Sequence, residues 1–430
     1  DNAFIQLTRR SNDFVISHGI NQRSYLRHSE NIFDFFSNLS HAFINHTGNP
    51  ITSPYIKENS GCVPAKAELL WQDAPGLISN VQYNNSQMQL FVNPENYISF
   101  QVYARTIRQG NAVIAIKDAG DNVLWSWHIW VTDENIGQTI EVTNHQSQKY
   151  KFMPVNLGWC DAETTAYDAR SVKVRFTQAE TGAMQVITLT QASHSVVNSD
   201  NQPYFQFGRK DPMLAGIRNA SGSTVDKGCY SDGYAFDKSG TGKVAIGVSI
   251  QHPHIFYNYG SSSIYDWCAT SYSNLWSGDN TVTTANDNAV VKTIYDPSPV
   301  GYHLPSSNAF TGFTYDGKNV SGSSYFGSRF NSPYTSTTDF TDNFGWEFYC
   351  NKMTGEGSYD TAGGTIFFPA SGYRSYSAGT VNNVGSLGYF WSAVPNSTYN
   401  GRYLYFSSSS INPLNYNLRS YGFAVRPVQE

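Results

Sequence analysis

The densest group of residues suited to binding chemistry is aromatic. Tyr257, Tyr259, Tyr265, Trp267, Tyr272 and Trp276 fall within twenty residues that are also rich in Ser and Asn. Aromatic faces stack on sugar rings, and the amide and hydroxyl tips beside them hydrogen-bond sugar hydroxyls without a full charge. Antibody paratopes use the same mix of Tyr, Ser, Gly and Asn. These six are the candidate ligand-binding residues. The competing expectation is that their rings fill the core of a chain with few long helices. Trp125, Trp127 and Trp130 carry the same pair of readings.

Signals for catalysis and for metals are weaker. The chain has no phosphate-binding loop, dinucleotide fingerprint, H-E-x-x-H helix or G-x-S-x-G elbow. Glycoside hydrolysis needs two acids about 5 to 10 Å apart. Glu347 and Glu356 are the only glutamates between Glu180 and Glu430, so a glycosidase would have to rely mostly on Asp; no acid pair stands out, no catalytic residue is assigned, and an enzyme is not the expectation. Asp232, Asp237, Asp279, Asp287 and Asp296 lie in loop-like sequence, where Asp forms turns as readily as it binds Ca²⁺. His252 and His254 would point the same way on a strand, but the intervening Pro253 favours an edge or a loop. No metal and no cofactor are expected. The five cysteines show no C-x-x-C spacing, and their odd number leaves at least one thiol free; one or two bridges at most are expected.

The elements that would position these residues are mostly strands. The 430 residues suggest two or three domains. Charged residues are 14 % of the chain, and the 29 tyrosines outnumber the 28 lysines and arginines, which excludes wholesale disorder. With a net charge of −5 and no basic run longer than Arg9–Arg10, a nucleic-acid partner is not expected. No apolar stretch approaches the roughly 20 residues of a membrane helix, so no membrane span is expected. The start, Asp1-Asn2-Ala3-Phe4, predicts a processed product. Ile32, Phe36, Leu39 and Phe43 recur at helical spacing and predict a helix over 28–45. Ala112–Ile116 and Val123–Val131 flank an Asp/Gly/Asn turn and predict a hairpin, with His128 in its core or at its edge. Thr132–Gln148 is polar and strand-poor, and predicts a domain boundary. Ser171–Phe176 and Gln185–Thr190 predict a second hairpin around a turn containing Gly182. From about residue 200 the sequence predicts loops with small sheets.

Six short stretches then resemble, in order, the bacterial surface module called the Fibrobacter succinogenes major paralogous domain. They are Tyr150–Gly158, Tyr204–Pro212, Ile294–Pro305, Phe368–Arg374, Gly388–Ser392 and Gly422–Val428. Gly301, Pro305, Arg374, Trp391 and Arg426 match that family's motifs and read as structural. Ser298 and Pro427 stand where the family has cysteines, so any disulfide joining those places is lost here. The His-Leu-Pro turn and the closing Gly-Phe-x-x-Arg also resemble the formylglycine-generating enzymes, which implies a C-type-lectin-like fold. That family's paired C-terminal cysteines have no counterpart, since no Cys follows Cys350. The calcium-bridged sugar triplets of C-type lectins are absent as well. Joined to such a module, the Ala112–Val131 hairpin resembles the fimbrillin-like surface proteins of Bacteroidales.

The expectation is therefore a β-rich, α+β chain. Residues 1–143 would be a fimbrillin-like or Ig-like β-sandwich for anchoring and assembly, and residues 144–430 a C-type-lectin-like recognition domain. The resemblance implies an extracellular adhesin on the cell surface or outer membrane, at a pilus tip or as an accessory fimbrial subunit. Its partners would be a glycan or a host or bacterial surface protein, with other pilus subunits. The alternative is a surface glycan-binding protein of a polysaccharide-uptake system.

Overall fold

The computed structural model describes residues 14–19, 43–53, 55–83, 97–104, 107–231, 235–258 and 265–430. The chain is strand-rich, as the sequence predicts. Most of the helix expected over 28–45 lies outside the described residues. Its last positions, from Phe43, form a short bridge and turn instead.

Two three-stranded antiparallel sheets open the fold. One holds β1 (Phe14–Gly19), β3 (Ser79–Tyr83) and β4 (Tyr97–Val102), with β4 central. The other holds β2 (Lys66–Gln72), β5 (Gly110–Lys117) and β6 (Val123–Val131), with β5 central. β5 and β6 form the predicted hairpin, in register from Gly110↔Val131 to Ile116↔Trp125. Side chains alternate across a strand. Ala112, Ile114 and Ile116 enter the largest buried cluster, while Val113 and Ala115 meet Leu70, Trp71 and Leu214 on the other face. Burial on both faces explains the unbroken apolar run of β5. It also decides the tryptophan question in this hairpin, where Trp125, Trp127 and Trp130 are all buried.

The Thr132–Gln148 stretch is less strand-poor than its polarity implies. It contains β7 (Ile140–Thr143), which turns into β8 (Lys149–Phe152). The two short strands β18 (Tyr302–His303) and β28 (Val428–Gln429) complete a four-stranded sheet with them. A division after residue 143 thus falls inside the β7–β8 hairpin. The largest buried cluster also crosses it, running from Phe43 to Val425.

Next comes a ribbon. β9 (Glu163–Tyr167) pairs with β12 (His194–Asn198), and β10 (Arg170–Thr177) with β11 (Met184–Gln191). The inner pair is the second predicted hairpin. Beyond it lie β13 (Phe205–Gln206), the hairpin β14 (Gly216–Arg218) with β15 (Thr224–Asp226), and the parallel pair β16 (Asp237–Thr241) and β17 (Ile255–Asn258) around helix α1 (Ile246–Gln251).

The C-terminal part is built on one large sheet. Its order is β19 (Val320–Ser321), β26 (Ser410–Leu418), β25 (Asn400–Ser407), β24 (Gly388–Pro395), β27 (Gly422–Val425), β22 (Tyr373–Arg374) and β23 (Val381–Asn382), with β13 pairing β27 at the side. A hairpin of β20 (Gly345–Tyr349) and β21 (Thr365–Pro369) and helix α2 (Thr337–Asn343) cover one face. There Phe390, Leu404, Phe406 and Ala424 pack with Trp346, Phe348 and Phe368. All five cysteines carry free thiols.

Candidate functional site

The opposite face of the large sheet begins as core and ends as surface. At the inner end Trp391, Phe423 and Val425 are buried near Phe205 and Phe207. The Trp391 indole N–H donates to the Phe205 carbonyl at 2.9 Å. Along the same face the strands then present tyrosines. Tyr389 on β24 lies opposite Tyr405 on β25, and Trp391 opposite Tyr403. Tyr373 comes from β22, Tyr376 from the turn after it, and Tyr421 immediately precedes β27. Five of these six tyrosines are half-buried; Tyr403 is buried beneath them.

Their rings form a continuous patch. Tyr373 is 4.9 Å from Tyr389 and 5.6 Å from Tyr421 between centroids. Tyr376 is 4.7 Å from Tyr421, and Tyr405 5.2 Å from Tyr389. Phe423 is the floor, 4.8 Å from Tyr389 and 4.7 Å from Tyr403. Tilted and edge-on contacts of this kind hold aromatic rings in fixed orientations. Local geometry fixes the patch further. Gly372 sits at φ +62°, and a Cβ there would lie 2.7 Å from the Val384 nitrogen, so only glycine fits the turn that delivers Tyr373.

Three of these hydroxyls, on Tyr373, Tyr389 and Tyr421, are held in the neutral form. Burial, then the neighbouring hydroxyls, raise Tyr389 and Tyr373 above the usual phenol range. Burial pushes Tyr421 up to about 12. Each therefore keeps its proton at neutral pH and can both donate and accept. A rigid, neutral, aromatic surface with hydroxyl tips suits a ligand rich in hydroxyls and apolar ring faces.

The six residues singled out from sequence are placed differently. Tyr257, Trp267 and Trp276 come together, but inside the protein. The Trp267 and Trp276 N–H groups donate to the Phe207 and Arg209 carbonyls at 2.8 and 3.3 Å, and the Arg209 guanidinium lies 5.1 Å from the Tyr257 ring centroid. Their faces are covered, so the core reading accounts for them: without long helices, bulky rings supply the buried volume. Tyr272 is half-buried, and its carbonyl accepts a hydrogen bond from Arg419. Tyr265 is 41 % exposed and lies 5.9 Å from Tyr399, which is equally exposed. The Ser420 hydroxyl, next to Tyr421 in the chain, donates to the Tyr265 carbonyl at 3.3 Å. Tyr265 is thus the exposed candidate that is tied to the chain beside Tyr421. Tyr259 lies outside the described residues.

A second concavity, of about 730 Å³, opens between the β7–β8 hairpin, β28 and the 287–306 loop. At its wall the Asp287 carboxylate accepts from the Tyr150 hydroxyl at 2.6 Å, Asn144 Nδ2 at 2.7 Å and Asn308 Nδ2 at 3.2 Å. Those partners give Asp287 a structural use. Asp296 is likewise committed, buried against Lys292 at 2.9 Å. Among the described residues no three His, Cys, Asp or Glu side chains converge as a metal site would require. Asp232 lies outside them.

Residues 347–428 match the family model of a domain of unknown function, DUF8237. That segment contains every tyrosine of the patch and its Phe423 floor. No curated protein and no solved structure matches the chain.

Proposed function

We propose that this protein is a non-enzymatic adhesin of the cell surface, a pilus-tip or accessory fimbrial subunit. It binds a glycan or a surface protein through the tyrosine face of its C-terminal part. The observation that carries this reading is the patch of Tyr373, Tyr376, Tyr389, Tyr405 and Tyr421, half-exposed on a fixed sheet. Tyrosine gives large contact area at low conformational cost, because two χ angles place the whole ring. The motifs that resemble the bacterial surface module support an extracellular setting. Reversible stacking and hydroxyl exchange need no cofactor and no calcium bridge.

The test is a glycan-array screen of the intact chain, repeated with EDTA in place of Ca²⁺. Hits are then titrated against Tyr405→Ala, Tyr376→Ala and Tyr405→Phe. A glycan ligand should persist in EDTA. Each alanine should weaken it about tenfold, the size of a single hot-spot contact of about 1.4 kcal/mol. Tyr405→Phe should keep most of the stacking. Binding that survives both alanine changes in a folded protein would remove the tyrosine face from the reading. A soluble polysaccharide bound tightly, with no attachment to whole cells, would instead favour a glycan-uptake protein.

A further inference from the structure

The β9–β12 ribbon is the least covered part of the described molecule. Nearly every residue from 161 to 196 is exposed. In the inner pair, β10 and β11 are each eight residues long and pair without a bulge from Arg170↔Gln191 to Thr177↔Met184. The register puts Val172 opposite Leu189 and Val174 opposite Ile187, with Phe176 on the same face. Val172, Phe176 and Leu189 remain 57, 56 and 56 % exposed. An isolated two-stranded ribbon is marginal in water; three or more strands sharing an apolar face are needed for independent stability.

The two legs of the ribbon differ in charge. β10 carries Arg170, Lys173 and Arg175, whereas residues 183–198 contain no Asp, Glu, Lys or Arg. Natural sheets protect open edges with lysines, prolines, bulges or covering loops. β10 has such charges. β11, Met184-Gln185-Val186-Ile187-Thr188-Leu189-Thr190-Gln191, has neither charge nor proline nor bulge. No other strand pairs with its outer edge among the described residues.

We propose that β11 is a self-association edge. Two copies of this chain pair β11 against β11, antiparallel, and merge their ribbons into one four-stranded sheet with both β10 strands outermost. Charge selects this occupant and this edge. A neutral strand meets its own copy without repulsion, and the three cations of each β10 then lie three strand spacings apart, about 14 Å, beyond the screening length of roughly 8 Å at physiological salt. Pairing through β10 would set six cations side by side. The merged sheet also gives each apolar stripe new cross-strand neighbours. The proposal is independent of the tyrosine face.

The test is the mass of the intact chain in solution, by light scattering and sedimentation, from low to high micromolar concentration. The 47.9 kDa chain should shift toward twice that mass as concentration rises. Thr188→Lys, an exposed change on β11, should hold it at monomer mass. Ser171→Lys, an equally exposed change on β10, should leave dimerisation intact. Melting temperatures of both variants check that the fold is unaltered. Hydrogen exchange on the unmutated protein gives a second readout: amides of 184–191 should slow as the dimer forms. A chain that stays monomeric throughout, or a dimer indifferent to Thr188→Lys, or one in which 184–191 exchange as in the monomer, would overturn the proposal.

Discussion

His128 shows how one residue type acquires a role from its surroundings. It lies buried on β6, with Nε2 2.9 Å from the Asn111 side-chain oxygen and its ring 6.4 Å from Phe205. Burial pushes its pKa down to about 3. The unfolded chain takes up this proton near pH 6.5, while the folded chain refuses it until about pH 3. Stability is therefore complete above pH 6.5 and is lost as pH falls through that window. Between pH 6.5 and about 5 the loss from this residue is on the order of 2 kcal/mol. Urea unfolding of His128→Gln should show a shallower decline with acidification than the unmutated protein, whatever the variant's stability at pH 7. An unchanged slope would mean that His128 protonates in the native state. Tyr373, Tyr389 and Tyr421 follow the same rule with opposite groups: neutral forms prevail because charged ones would be desolvated.

At the scale of elements, buried arginines tie strands to loops. Arg374 on β22 donates from Nε to the Leu214 carbonyl at 2.8 Å and from Nη1 to the Gly379 carbonyl at 2.7 Å, and pairs with Asp226 at 2.8 Å. Arg426 donates to the Met153 carbonyl and to the Asn156 side chain at 2.8 and 2.9 Å, which fixes the chain after β8. A planar fork with several fixed donors suits such work better than an ammonium does. Arg374→Met should cost about 3–5 kcal/mol, because it strands buried acceptors and weakens the Asp226 pairing. Arg374→Lys should recover less than half of that. The urea midpoint reads both, and full rescue by lysine would show that charge alone matters. The sequence made some of these elements legible. The β5–β6 and β10–β11 hairpins were readable because alternation and turn chemistry are local signals. The tyrosine face was not, because its residues arrive from β22, β24, β25 and the approach to β27, and their adjacency depends on a strand order that no local pattern encodes. Alternation in Tyr389-Phe390-Trp391 and Tyr403-Leu404-Tyr405-Phe406 was the available clue. Conversely, Tyr257, Trp267 and Trp276 are close in sequence yet covered, since closeness along the chain says nothing about which way rings face.

For the whole molecule, the decisive feature is that the buried interior does not stop at residue 143. Asp73, just past β2, pairs with Lys227 at 2.9 Å, and both are buried. Asn111 adds two bonds to that carboxylate, from its backbone N–H at 2.7 Å and from Nδ2 at 3.0 Å. Burial alone would lower the Lys227 pKa, but Asp73 and Cys160 beside it raise it above the usual ammonium range. Nearby, the Ser126 hydroxyl donates to Asp211 at 2.7 Å, and buried Lys210 donates to the Ser126 carbonyl at 3.1 Å. Gln72 and Tyr230 also form a backbone bridge. A fragment beginning at 144 would leave Lys227 and Lys210 without these partners. Interfaces between separable domains are usually more exposed and less interlocked than this. The intact chain should therefore unfold in one main calorimetric transition, excluding the ribbon, with tryptophan fluorescence and far-ultraviolet dichroism coincident. Asp73→Ala should lower that single transition as a unit, by about 3–5 kcal/mol, since it leaves an uncompensated ammonium in the interior. Asp73→Ala together with Lys227→Met should recover part of the loss, because the stranded charge is gone. Two resolved transitions, with Asp73→Ala moving one and sparing the other, would instead show that the parts on either side of residue 143 fold independently despite their shared interior.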